Sequence, residues 1–273
     1  MIVYGVTANV SIGYLFFAGF APAGLMGLGM MIMMYIVARR MGLPMEPRST
    51  CGGIGRAFID AIPPLLMPVI VLGGIRIGAF TPTEGAIVAV VYASLLSFFF
   101  YRELKLGDLP RILVTSVKLT GIVTFLIGMS STFAWVVASQ RIPQMVTQAM
   151  LGISAEPWIF LILVNILFLF VGTIMDATPA VIILVPILSP VANHLGIDPI
   201  HFGTVLVANL GIGLVTPPVG VVLYVAASIG KVSIEEVVKY IMPFFAVLVL
   251  TLLMFTYMPD LTLFVPRLFG YEK

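Results

Sequence analysis

The sequence predicts an all-α polytopic membrane protein, and three observations predict it. Of its 273 residues, 60% are hydrophobic and only 10% charged, whereas a soluble domain carries about 25% charged residues to keep its surface solvated. No Asp, Glu, Lys or Arg occurs over 1–38, 119–140, 157–175, 199–230 or 240–259, and a helix needs roughly 20 apolar residues to cross a hydrocarbon core of about 30 Å. Blocks such as 30–37 and 160–171 are apolar on every side, which excludes the alternating segments of about ten residues that build a membrane barrel. The lipid bilayer is therefore the main solvent of the chain. A net charge of +2 gives no footprint for nucleic acid, and the single cysteine, Cys51, allows neither a disulfide framework nor a cysteine-based metal site.

In chain order, the apolar runs predict helices at about 12–38, 60–78, 83–101, 112–138, 157–175 and 238–258, with a less regular stretch over 177–232. Three regions follow: 1–59, one helix and a loop; 60–156, scaffold-like helices and an interfacial connector at 140–156; and 157–273. Arg39, Arg40, Arg48 and Arg56 crowd one short loop, and Arg102, Lys105 and Arg111 another. Two predicted crossings separate these loops, so the positive-inside rule places both in the cytoplasm. The charges of 102–111 read mostly as a solvated face.

The stretch 172–230 is where helices should break. Pro179, Pro186 and Pro190 fall within twelve residues, and each removes a backbone donor and clashes with the preceding turn. The expectation is a re-entrant hairpin over about 177–195 with its turn at Ser189-Pro190. Such a backbone survives at membrane depth only if it is buried in protein or faces water. A second break is expected within 200–230, at Gly211-Ile212-Gly213-Leu214-Val215-Thr216-Pro217-Pro218-Val219-Gly220. Two half-helices meeting at an unwound centre are a construction of secondary transporters, in which carbonyls and helix C-termini hold Na⁺ and helix N-termini face an anionic substrate. Asp176 reads either as a carboxylate facing a cavity, since one at the membrane centre costs roughly 2.5–3.5 kcal/mol, or as the N-cap of the following helix; the two roles are compatible. With Thr178, Pro186, Ser189, Pro190 and Asn209 it makes up the hairpin and substrate-side candidates.

Other polar clusters read as structural. Arg76, Thr81, Thr83 and Glu84 bracket a Thr-Pro-Thr break and form a turn with a helix start at Thr83. His194, Asp198 and His201 have a metal-like spacing, but Gly196 and Pro199 interrupt it and no Cys or Glu joins, so an interfacial polar loop is the better reading. An intramembrane aspartyl protease built on Asp176 and Asp198 fails for the same reason, and nothing points to an enzyme. Tyr4, Val10-Ser11-Ile12 and Pro22 are echoed by Tyr224, Val232-Ser233-Ile234 and Pro243, as an inverted repeat would produce.

These residues carry a family resemblance. Gly74 and Gly78-Ala79-Phe80-Thr81-Pro82-Thr83-Glu84, Asp176, Pro186-Ile187-Leu188-Ser189-Pro190, Gly196-Ile197-Asp198-Pro199, His201-Phe202-Gly203, Gly213 and Thr216-Pro217-Pro218-Val219-Gly220 resemble the large permease (M) subunit of tripartite ATP-independent periplasmic (TRAP) transporters. So do Val3-Tyr4-Gly5, Val10-Ser11-Ile12, Leu15-Phe16 and Gly19. The resemblance implies a multi-pass protein of the bacterial inner membrane, with an inverted-repeat elevator fold like that of the wider ion-transporter superfamily. It implies Na⁺ as coupling ion with no other cofactor, and import of small carboxylates such as C4-dicarboxylates. It also implies two partners, a small membrane subunit and a periplasmic solute-binding protein. Carried over by motif, Gly213, Val215, Thr216, Pro217 and Gly220 would surround sodium at the unwound helix. The large subunit ordinarily has a further upstream stretch, with a first hairpin and a first Pro-Pro-Ser break, so the first repeat is expected to be truncated here. A non-transporting fragment and a carboxylate carrier that needs no binding protein are the alternative expectations.

Overall fold

A computed structural model describes residues 1–42, 50–142, 144–146, 148, 156–217 and 220–272. Eleven α-helices organise the described residues: α1 (Ile2–Ala8), α2 (Ile12–Met41), α3 (Cys51–Arg76), α4 (Pro82–Leu95), α5 (Leu109–Ser139), α6 (Pro157–Ile174), α7 (Ala177–His194), α8 (Pro199–Gly213), α9 (Val221–Gly230), α10 (Ile234–Tyr257) and α11 (Pro259–Leu268). Among the described residues, seven helical stretches are long and apolar enough to cross a membrane: the six predicted helices and Ala177–His194, where the sequence predicts a re-entrant hairpin instead. Arg48 and most of the connector at 140–156 lie outside the described residues.

The chain forms two compact units. In Leu43–Val123, α3 and α4 pack antiparallel: Tyr92 donates its hydroxyl to the Pro63 carbonyl at 2.8 Å, while Gly85 lies against Ile75 and Val71. Tyr101 reaches the Asp60 carbonyl at 3.5 Å, so Arg56 and Arg102 share one end of the pair, in agreement with a common side for the basic loops. The polar knot here is a helix start, beginning at Thr81 rather than Thr83. The Thr81 hydroxyl accepts the Glu84 N–H at 3.3 Å and the Glu84 carboxylate accepts the Thr81 N–H at 2.7 Å, a reciprocal capping box. Thr83 occupies the first turn and Arg76 ends α3.

The other unit, Met1–Gly42 with Thr124–Lys273, is built around α8. This helix is apolar nearly all round and buried on nearly every face, as that pattern requires. Phe160, Phe168, Val185, Phe202, Leu206 and Leu210 knit α6, α7 and α8 into one core. The predicted hairpin turn at Ser189-Pro190 is not there, because α7 runs unbroken from Ala177 to His194. The prolines are compatible with a helix for a positional reason. Pro179 sits in the first turn, where an N–H has no intrahelical partner to lose. Pro186 and Pro190 are four apart, so their missing bonds fall on one stripe. The chain turns instead at Met175-Asp176, two extended residues between α6 and α7.

The internal echo is physical. α1 ends on Asn9 (φ 54°) and α9 on Lys231 (φ 51°), both left-handed. The next residue closes back in each case, Val10 N–H to Gly5 O at 2.9 Å and Val232 N–H to Ala227 O at 3.2 Å. Ser11 and Ser233 then precede long helices that contain Pro22 and Pro243. This register pairs Tyr4 with Ala226 rather than Tyr224. α2 and α10 pack antiparallel, with Gly29 against Val247 and Thr251 and Met26 against the cluster that holds Leu252 and Phe255, the relation that inverted-topology repeats require.

Candidate functional site

The helix break falls where the sequence places it. α8 ends at Gly213 and tightens into a last turn, with the Val215 N–H on Ile212 O at 3.1 Å and the Thr216 N–H on Gly213 O at 2.9 Å. Pro217 follows, Pro218 and Val219 lie outside the described residues, and α9 resumes after Gly220. Gly220 has φ 37°, a left-handed conformation that a side chain disfavours. In it, the Gly220 N–H donates to the Thr173 carbonyl at 3.2 Å. That bond ties the start of α9 to the end of α6, one residue pair before the α6–α7 turn.

The same two helices touch backbone to backbone. A β-carbon on Gly213 would lie 2.6 Å from the Gly172 Cα, and one on Gly172 2.9 Å from the Gly213 Cα. Asp176, at the turn, is exposed and N-caps α7, its carboxylate accepting the Ala177 N–H at 2.7 Å. Thr178, two residues on, is half-buried. Thr216 donates its hydroxyl to Ile212 O at 2.7 Å, which leaves its oxygen lone pairs for a further donor or cation. Gly213, Val215, Thr216, Pro217 and Gly220 thus cluster around one break, with Asp176 and Thr178 on the neighbouring turn.

Three candidates fall elsewhere. Ser189 and Pro190 lie thirteen and fourteen residues along α7 from Asp176, roughly 20 Å at 1.5 Å per residue. Pro186 is likewise inside that helix. Ser189 is buried beside the Tyr4 hydroxyl, which itself donates to Pro199 O at 2.8 Å. Asn209 is fully buried one turn before the break.

The sequence reading missed the partners of Asn209. Its Nδ2 donates to Asn165 Oδ1 on α6, and Asn165 Nδ2 donates to Thr256 Oγ1 on α10 at 3.3 Å. Asn165 is the lone amide in the run 157–175, which is the signal that could have found it, because a polar group at membrane depth needs a partner. Asp198 and His201 are buried too, not solvated. The Asp198 carboxylate caps α8 by accepting the N–H groups of Ile200 at 2.8 Å and His201 at 3.2 Å, and Tyr271 donates its hydroxyl to it at 3.0 Å. His201 Nε2 faces the Thr256 carbonyl at 3.2 Å. A carbonyl only accepts, so the proton is on Nε2; Nδ1 meets Thr262 Oγ1 at 2.7 Å. His194 is exposed, and no cluster of metal ligands occurs among the described residues.

Among the described residues, seven span-length apolar helices, a break at Thr216-Pro217 and a helix end hydrogen-bonded to that break define an all-α multi-pass membrane protein of secondary-transporter construction. The chain belongs to the DctM component family of tripartite ATP-independent periplasmic transporters, whose family model matches residues 1–261. It is 40% identical over 270 residues to the C4-dicarboxylate TRAP transporter large permease protein DctM of Pseudomonas aeruginosa, covering 99% of this chain and 63% of the relative. It is 38% identical over 274 residues to the sialic acid TRAP transporter large permease protein SiaM of Vibrio cholerae, covering 100% and 64%. With the 2,3-diketo-L-gulonate TRAP transporter large permease protein YiaN of Escherichia coli it shares 37% identity over 260 residues, 95% of this chain and 61% of the relative. The chain thus spans less than two thirds of the length of these relatives. Membership makes it a component of an inner-membrane transporter family.

Proposed function

We propose that this chain carries the transport region of a sodium-coupled TRAP permease that imports small carboxylates, received from a periplasmic binding protein, in concert with a small membrane subunit. One observation carries the reading: the Gly220 N–H to Thr173 O bond, which couples the unwound centre of α8–α9 to the α6–α7 turn. The C-terminal end of α8 is the negative pole of its dipole and the start of α9 the positive pole of the next. A hard cation suits the carbonyls and hydroxyl around Thr216, and a carboxylate suits the opposing N-terminal ends. Sodium held at the break stabilises the turn against it and completes the anion site. The unit then moves as an elevator that carries both inward. The C4-dicarboxylate, sialic acid and diketogulonate of these three relatives' names all carry a carboxylate, which favours a carboxylate cargo here.

The test is uptake of labelled carboxylate into liposomes by the full-length permease with both partners. Uptake that depends on an inward Na⁺ gradient supports the reading. Equal uptake when K⁺ replaces Na⁺ removes the sodium role, and no uptake of any carboxylate removes the cargo.

A further inference from the structure

We propose that the start of α5 holds the headgroup of an anionic phospholipid. Arg111, Thr115 and Lys118 follow one another at i, i+4 and i+7, so they form a single polar stripe. The stripe rises about 10 Å along the helix. Every residue from Pro110 to Thr120 is exposed, and neither cation is in an ion pair among the described residues. Beyond Lys118, the residues from 119 to 140 carry no charge and suffice to cross the hydrocarbon. The stripe therefore stands at the headgroup layer, on the end that the Lys and Arg distribution assigns to the cytoplasm.

A shallow depression of about 410 Å³ lies along it, lined by Leu104, Asp108, Arg111, Ile112, Thr115 and Ser116. Asp108 is the one negative group there, and its carboxylate is engaged by the Lys105 N–H at 3.1 Å. Exposed Phe99 and Phe100 lie in a π-helical turn, Leu96–Phe100, that continues α4, and exposed Tyr101 follows it, the aromatic girdle expected at an interface. Charge complementarity selects the occupant. The Arg111 fork fits a phosphate, the Thr115 hydroxyl being already donated to Arg111 O at 2.9 Å, and a Lys stem reaches along apolar chains with its ammonium at the same level. A zwitterionic headgroup would bring its own cation against the stripe, so the proposal is confined to anionic lipid.

The test is native mass spectrometry of the purified chain, in detergent, with equimolar dioleoylphosphatidylglycerol and dioleoylphosphatidylcholine. The expected result is preferential retention of phosphatidylglycerol. The double variant Arg111→Gln/Lys118→Gln should weaken it about 30-fold, about five-fold for each cation removed, while Arg111→Lys/Lys118→Arg keeps it. Equal retention of the two lipids by the unaltered chain overturns the proposal even if the double variant fails to fold, and leaves the stripe to a protein surface. Undiminished preference in a folded double variant overturns it as well, as does displacement of the lipid by an equal concentration of inorganic phosphate.

Discussion

Gly172 of α6 and Gly213 of α8 meet with no side chain between them, each so close that a β-carbon on one would fall within 3 Å of the other's Cα. The contact lies beside the helix break and just before the α6–α7 turn, so it sets how closely those two features approach. Small residues are what lets membrane helices pack backbone to backbone. Gly172→Ala or Gly213→Ala must push the helices apart, because the obstacle is main chain and cannot rotate away. Each is expected to cost about 1–3 kcal/mol, read as a lower unfolding midpoint in detergent. Gly211→Ala, where a β-carbon meets nothing within 4 Å, is the control and should leave the midpoint unchanged or raise it. An unaltered midpoint for both α6 and α8 variants would show that the helices do not cross there.

The chain of Asn209, Asn165 and Thr256 joins three helices by side chains that are essentially unexposed. Asn165→Ala deprives Asn209 of the acceptor for its amide and Thr256 of a donor, and a stranded buried group costs about 1–3 kcal/mol. A double-mutant cycle over Asn165→Ala and Asn209→Ala should return a coupling of about 0.6–1.7 kcal/mol, the range of interhelical hydrogen bonds in membranes. Additive losses would mean that the two amides do not bond.

The uncharged runs made the spans legible in the sequence, since span length is a one-dimensional property that hydrocarbon thickness fixes. The break at Thr216-Pro217 was legible as well, because glycines and a double proline interrupt helical bonding from within the segment. The hairpin turn was not. Pro186 and Pro190 look like breakers in a list of residues but occupy one stripe of a continuous helix, while the actual turn, Met175-Asp176, contains no residue that forbids helix. Asp198 and His201 read as a solvated loop because their partners, Tyr271, Thr256 and Thr262, come from residues more than fifty positions away. Burial that depends on such distant contacts leaves no local pattern.

Tyr271 offers a titration of that distant contact. Burial, and then the charge and hydrogen bonding of Asp198, push its phenol up from 10 to about 12. A group whose folded pKa is raised stabilises the fold fully below its ordinary value and loses that contribution as pH rises through the folded one. The Tyr271 contribution should therefore be intact below pH 10 and vanish between pH 10 and about 12. The phenolate absorbance difference between the unaltered chain and Tyr271→Phe measures it. Asp198→Asn should bring the midpoint down while burial keeps it above 10. A Tyr271 midpoint at 10 in the unaltered chain would show that the hydroxyl does not face the carboxylate.

Thr81→Ala tests the second unit by itself. It removes the acceptor of the Glu84 N–H and leaves the Glu84 carboxylate to the Thr81 N–H alone. The expected loss is about 1 kcal/mol, and Thr81→Ser should recover most of it. The measurement is the thermal unfolding of both variants in the same detergent. Equal losses in the alanine and serine variants would mean that the hydroxyl does not cap α4.

Thr216 is where the proposed mechanism is most exposed to refutation. Its hydroxyl already bonds to Ile212 O within its own helix end, so Thr216→Val keeps the branched shape and deletes only the oxygen. The loss to the fold should be small, because the Ile212 carbonyl also accepts the Val215 N–H. If that oxygen is a sodium ligand, the sodium concentration for half-maximal uptake by the full-length permease should rise about tenfold, the scale of one lost interaction with a charged group. Folded yield should stay near that of the unaltered protein. Thr216→Ser retains the oxygen and should restore sodium activation, a rescue that a purely structural role would not demand. An unchanged sodium dependence in the valine variant would take Thr216 out of the site and leave any sodium to the backbone carbonyls of the break.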